Sequence, residues 1–121
     1  MQLSTVRAVV TGGASGLGFA VAQYLVGNGA KVALFDVNAE RGAAAVAELG
    51  AGNAHFFRTD VSDEAGVAAN VQAAKDAMGG LNAAINCAGI LGSGRVLGKD
   101  GAMPLSTFAT TVMVNLVGSF N

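Results

Sequence analysis

Between Thr5 and Gly18 the chain reads Thr-Val-Arg-Ala-Val-Val-Thr-Gly-Gly-Ala-Ser-Gly-Leu-Gly. Val6, Ala8, Val9 and Val10 form a short, mostly β-branched run that a glycine cluster stops at Gly12. From about Gly16 the apolar residues move to helical spacing, at Leu17, Val21, Tyr24 and Leu25. A buried strand, a tight glycine turn and a helix N-terminus in succession build an anion site. The first helical turn offers unpaired N–H groups and about half a positive charge, and glycine lets a diphosphate approach the backbone. Gly12 suits the turn, Gly16 the close approach and Gly18 the packing of the helix on the strand. The spacing departs from G-x-G-x-x-G, because Val21 stands where a third small residue would fall. It also departs from G-x-x-x-x-G-K-S/T, because Phe19 follows Gly18.

The pattern then repeats its alternation. Lys31–Asp36 is a second apolar run ending in a carboxylate, and Asn38 is a plausible cap for a helix that carries Val46 and Leu49 on one face and ends at Gly50. Asn53–Asp60 reads as a third strand, again ending in a carboxylate. Ser62 is the expected cap of the next helix, with Asp63 and Glu64 in its first turn and Val67, Val71, Ala74 and Met78 at helical spacing. Gly79-Gly80 stops it, Leu81–Cys87 is a fourth strand, and a glycine-rich loop runs from Ala88-Gly89 to about Met103. A last helix is expected from Pro104, with Leu105, Phe108, Val112 and Leu116 on one side. Strands alternating with helices imply right-handed crossovers: an α/β, three-layer parallel sheet in the order 3-2-1-4. Ligands would bind where the order reverses, between strands one and four, beyond the carboxyl ends.

Composition narrows the classes. A chain of 121 residues holds one domain at most, and 52% apolar with 12% charged residues argues against disorder. A net charge of −1 gives nucleic acid no electrostatic footing. The single cysteine, Cys87, cannot form an internal disulfide, which fits a reducing, cytoplasmic setting. Gly101–Asn121 carries no charge and is long enough to cross a bilayer, but its Pro104, Ser106, Thr107, Thr110, Thr111, Asn115 and Ser119 favour burial against protein. One His and one Cys make neither a metal site nor a nucleophile–His–Asp set, and His55, in strand three, reads as structural.

Thr11-Gly12-x-x-x-Gly16-x-Gly18 resembles the cofactor motif of the short-chain dehydrogenase/reductase family. On that resemblance Gly12, Ser15, Gly16, Leu17 and Gly18 hold the diphosphate of NAD. Asp36 follows Gly18 at close to the ~20-residue interval of such folds, where a carboxylate accepts the ribose hydroxyls and repels a 2′-phosphate. Gly13 and Val37, where a base for that phosphate would stand, are uncharged. Asp36 also fits a turn cap. Asp60-Val61 matches the family's adenine-binding pair, although Asp60 fits the cap of the third helix equally well. Asn86-Cys87-Ala88-Gly89 matches the family's Asn-Asn-Ala-Gly with Cys87 as a departure, and Cys87, Ala88 and Gly89 would lie against a cofactor ribose. Asn115 matches the helical Asn that, in the family, opens its helix and holds a water in a catalytic proton relay.

The family's second half has no counterpart. Its Tyr-x-x-x-Lys general acid/base pair and substrate-holding Ser are missing. The only tyrosine is Tyr24, with Asn28 four residues on, and it reads as packing. The expectation is therefore a partial, NAD-binding Rossmann domain over 1–121, catalytically silent alone. Its fourth strand would be an exposed edge, and its uncharged last helix would need further chain or another subunit. The family implies a homo-oligomer, a tetramer when intact. Cys87–Ile90 and Gly94–Leu105 resemble bacterial type 2 3-hydroxyacyl-CoA dehydrogenases, which implies oxidation of a secondary alcohol on an acyl-CoA. A non-catalytic module that senses NAD is the alternative.

Overall fold

The computed structural model describes residues 2–121. Strands β1 (Arg7–Thr11), β2 (Lys31–Asp36), β3 (Ala54–Arg58) and β4 (Ala83–Asn86) form one parallel sheet in the order β3-β2-β1-β4. They are joined by α1 (Gly16–Gly27), α2 (Ala39–Leu49) and α3 (Glu64–Met78). This is the expected Rossmann-like arrangement. β1 and β2 are central and buried on both faces, which is why they read as continuous apolar runs rather than alternating ones.

Alternate residues of each strand serve two cores. Ala8, Val10, Val32, Leu34 and Ala54 pack with Ala22 and Leu25 of α1 and Ala45 of α2. On the other face Val9, Ala33 and Phe35 pack with Ala74 and Met78 of α3. Burying side chains such as Leu34 and Phe35 stabilises the fold by about 1.5–3 kcal/mol each. Asn38 caps α2 by accepting the Arg41 N–H at 2.9 Å, and Gly50 closes that helix at φ 90°. Gly79 ends α3 in the left-handed region.

The structure corrects several details. Ser62 does not cap α3: Asp63 occupies the cap position, and both the Ser62 N–H and its hydroxyl bond back to Asp60. Strands three and four are shorter than expected, at Ala54–Arg58 and Ala83–Asn86, although Asn53, Thr59, Asn82 and Cys87 beside them still bond to the neighbouring strands. The loop after β4 contains a hairpin, β5 (Leu97–Gly98) against β6 (Gly101–Ala102). Tyr24 is 64% exposed, since Ala22 and Leu25 take the packed positions of α1. The last helix begins at Leu105, as α4 (Leu105–Val112), widens into a π-helical turn over Met113–Val117, and ends in α5 (Gly118–Phe120). Within this chain its apolar side is left uncovered, in keeping with a helix expected to need further chain or another subunit. α4 has no buried residue, and Leu105, Phe108 and Leu116 are exposed, because the sheet ends at β4 and offers that face nothing to pack on. No helix among the described residues is long and apolar enough to cross a membrane.

Candidate functional site

A cleft of about 500 Å³ opens at the carboxyl ends of the strands. Gly12, Ser15, Gly16, Leu17, Gly18, Asp36, Asp60, Val61, Cys87, Ala88 and Gly89 all line it, with Phe35, Val37, Thr59, Ile90 and Val114. It lies beyond β1, whose neighbours β2 and β4 are reached by opposite crossovers.

The glycine turn is shaped by contacts that exclude side chains. Gly12 has φ 63°, and a Cβ there would sit 3.0 Å from the backbone of Ala88. Gly16 opens α1 at φ 56°, and a Cβ on it would meet nothing within 4 Å, so its backbone is bare towards the cleft. Gly18 packs on the carbonyl of Gly12, against the turn itself rather than the strand. Gly13 also has no room: a Cβ would come to 2.7 Å from the Val10 carbonyl. Ser15 precedes α1 in an extended conformation and makes no side-chain cap bond, which leaves the first-turn N–H groups of Gly16 to Gly18 for a ligand or water.

Asp36 is held at both oxygens. The Ala14 N–H donates to Oδ2 at 3.2 Å and the Asn38 N–H to Oδ1 at 3.1 Å. A carboxylate has about four acceptor sites, so each oxygen keeps one for another donor. The turn-capping position and the place on the cleft wall therefore coexist. Asp60 Oδ1 accepts the Ser62 hydroxyl at 2.7 Å and the Ser62 N–H at 2.9 Å. These two bonds hold its carboxyl below the ordinary 3.8, against a smaller opposing effect of burial. Behind it, Asn70 of α3 donates to the Arg58 carbonyl at 3.0 Å and the Thr59 hydroxyl at 2.9 Å, and so ties the end of β3 to α3.

Thr11 is the residue that motif reading left without a role. Its buried hydroxyl accepts the N–H groups of both Cys87 and Ala88 at 3.1 Å, clamping the segment after β4 to the end of β1. The signal was present in a polar residue closing an apolar run. Asn115 is absent from the cleft wall. Its amide bonds the Ile90 N–H at 2.8 Å and the Ile90 carbonyl at 2.9 Å, from within the π-helical turn. Cys87 is a free, half-buried thiol on the cleft wall, His55 stands in β3 away from it, and the described residues hold no metal-binding cluster.

A family model described as short chain dehydrogenase matches residues 6–121. The chain belongs to the short chain dehydrogenase family. Among its relatives, 3-hydroxyacyl-CoA dehydrogenase type-2 of Homo sapiens is 41% identical over 116 residues, covering 94% of this chain and 44% of the relative. The 2,5-dichloro-2,5-cyclohexadiene-1,4-diol dehydrogenase of Sphingobium indicum is 41% identical over 119 residues, covering 98% and 46%. A solved short chain dehydrogenase/reductase family protein superposes with TM-score 0.84 at 29% identity, covering 99% of this chain and 47% of that one. The fold is also that of a short chain dehydrogenase from Bacillus anthracis, with TM-score 0.83 at 19% identity and 48% of that chain covered. The chain thus spans slightly under half the length of the curated relatives it matches.

Two measurements test the site's framework. Thr11→Val takes the acceptor from the Ala88 N–H, while the Cys87 N–H keeps the Thr11 carbonyl at 3.2 Å, and should cost about 1 kcal/mol in chemical denaturation, with Thr11→Ser close to the parent. Asp60 has a lowered folded-state pKa, so its contribution to stability is complete above the unfolded value and fades as pH falls through the folded one. Asp60→Asn should therefore flatten the loss of stability below about pH 4, read from denaturation midpoints across pH. An unchanged slope contradicts that assignment.

Proposed function

We propose that this chain is the dinucleotide-binding part of an NAD-dependent short-chain oxidoreductase that oxidises a secondary alcohol, with a 3-hydroxyacyl-CoA as the substrate class to test first. The observation that carries the reading is Asp36. Its carboxylate stands on the wall of a cleft whose opposite lip is a bare glycine turn, with both oxygens fixed and each still able to accept.

The residues fit the group. Bare backbone at Gly16 and uncapped N–H groups at Ser15 to Gly18 suit a diphosphate. Asp36 suits vicinal ribose hydroxyls, Asp60 and Val61 an adenine edge, and Cys87, Ala88 and Gly89 the second ribose. When bound, the nicotinamide supplies the hydride acceptor. Asn115 then acts by holding Ile90 and the cleft floor in register, while the wide turn around it alters the local carbonyl pattern. The relatives support the class and divide on the substrate. One is named for a hydroxyacyl-CoA, one for a cyclic diol, and one from Sphingomonas as 2-dehydro-3-deoxy-L-rhamnonate dehydrogenase (NAD(+)). In this reading residues 1–121 form a partial Rossmann domain that works in a cytoplasmic homo-oligomer, where the bare face of α4 finds a cover.

A second reading, a module that binds NAD without chemistry, is favoured by one observation. The matched residues that line the cleft, among them Gly16, Asp36 and Asp60, are all ones assigned to holding the dinucleotide.

Calorimetric titration of the purified chain should show NAD binding. Asp36→Ala should weaken it about 10- to 100-fold, as the loss of a charge-assisted hydrogen bond predicts. No NAD binding by folded chain contradicts both readings. Dehydrogenation of a 3-hydroxyacyl-CoA only after a relative's remaining half is added favours the oxidoreductase, and binding that never yields turnover favours the module.

A further inference from the structure

Neither position where a base for a 2′-phosphate would stand carries one. Gly13 has no space for a side chain and Val37 is apolar. A base reaches the Val37 backbone from the next strand. Asp36 and Arg58 are paired in register at the carboxyl ends of β2 and β3. By strand alternation both stand on the face that carries Val32, Leu34 and Phe56. Arg58 is exposed, and its Nε donates to the Val37 carbonyl at 3.3 Å, on the residue that follows Asp36. Its terminal nitrogens make no hydrogen bond among the described residues.

The Asp36 carboxylate is itself an anion seated on two backbone donors, Ala14 N–H and Asn38 N–H. Removing its charge leaves those donors, beside a guanidinium with unused N–H groups, as a set that suits a phosphate oxyanion. We propose that Arg58 is a specificity-determining residue of the cleft, a phosphate ligand in waiting beside Asp36, so that exclusion of a 2′-phosphorylated dinucleotide depends on that one carboxylate. This rests on the dinucleotide reading above. Arg58 pulls the preference one way and Asp36 the other, with Asp36 prevailing because it occupies the donors that a phosphate would need.

The test is a set of binding isotherms for NAD and NADP, which differ only in the 2′-phosphate. The parent chain should prefer NAD. Asp36→Ser should raise the NADP-to-NAD affinity ratio roughly tenfold or more, and adding Arg58→Gln should cancel most of that gain. Arg58→Gln alone should leave NAD affinity within about twofold, since Gln still offers the Val37 carbonyl a donor. Asp36→Asn, which keeps an acceptor for one of the two N–H groups, serves for the same comparison if the serine variant does not fold. A gain in NADP affinity that survives Arg58→Gln overturns the proposal, as does an equal loss of both ligands on that substitution, which would make Arg58 a brace for the turn. A parent chain that binds neither ligand overturns the dinucleotide reading and this inference together. NAD binding without any Arg58-dependent effect of the 2′-phosphate overturns this inference alone.

Discussion

Helix α1 begins where it does because Gly18 lies against the carbonyl of Gly12, where any side chain would collide with backbone. That contact draws the helix N-terminus down onto the end of β1, and the rest of the cleft is arranged around it. Gly12 turns the chain at a positive φ and lies against Ala88, so the segment after β4 closes on the same turn from the other side. Thr11 completes the closure by accepting two N–H groups from that segment. A substitution at any of these points would move the N–H groups of α1 relative to Asp36, the two halves of one anion-and-hydroxyl site.

The sheet makes the placement economical. Parallel strands buried on both faces bring four carboxyl ends to one edge of the domain. Thr11 and Asp36 end β1 and β2, and Thr59 and Asp60 follow β3 directly, so these polar residues reach that edge without long loops. Asp36 is then held through Ala14 and Asn38, Asp60 through Ser62, and Thr59 through Asn70. Fixed acceptors lose little freedom on meeting a ligand, which favours affinity.

Much of this was legible in the chain itself. The β-branched run ended by Gly12, the second run ended by Asp36 and the helical spacing after Ser62 suffice for the sheet order and for the wall of the cleft, because burial on two faces and glycine punctuation are strong local signals. What local pattern does not carry is the choice between competing short polar partners. Ser62 and Asp63 are both good caps, and the tie was decided by Asp60, which takes both donors of Ser62. Thr11 acts through residues distant in sequence, and Arg58 reaches Val37 only because β3 pairs with β2. Tyr24 stands exposed although its spacing read as packing, because apolar spacing reports a face able to be buried, not the presence of something to bury it.

The central claim is that a dinucleotide lies across the strand ends, with its diphosphate on the start of α1 and its adenosine beside Asp36. Backbone amide spectra of isotopically labelled chain, recorded with and without saturating NAD, test this most directly. The account predicts large shifts at Gly16, Leu17 and Gly18 and at Ala14 and Asn38, with the exposed outer face of α1 around Tyr24 unmoved. Saturating NAD that leaves the Gly16 to Gly18 amides in place would contradict it.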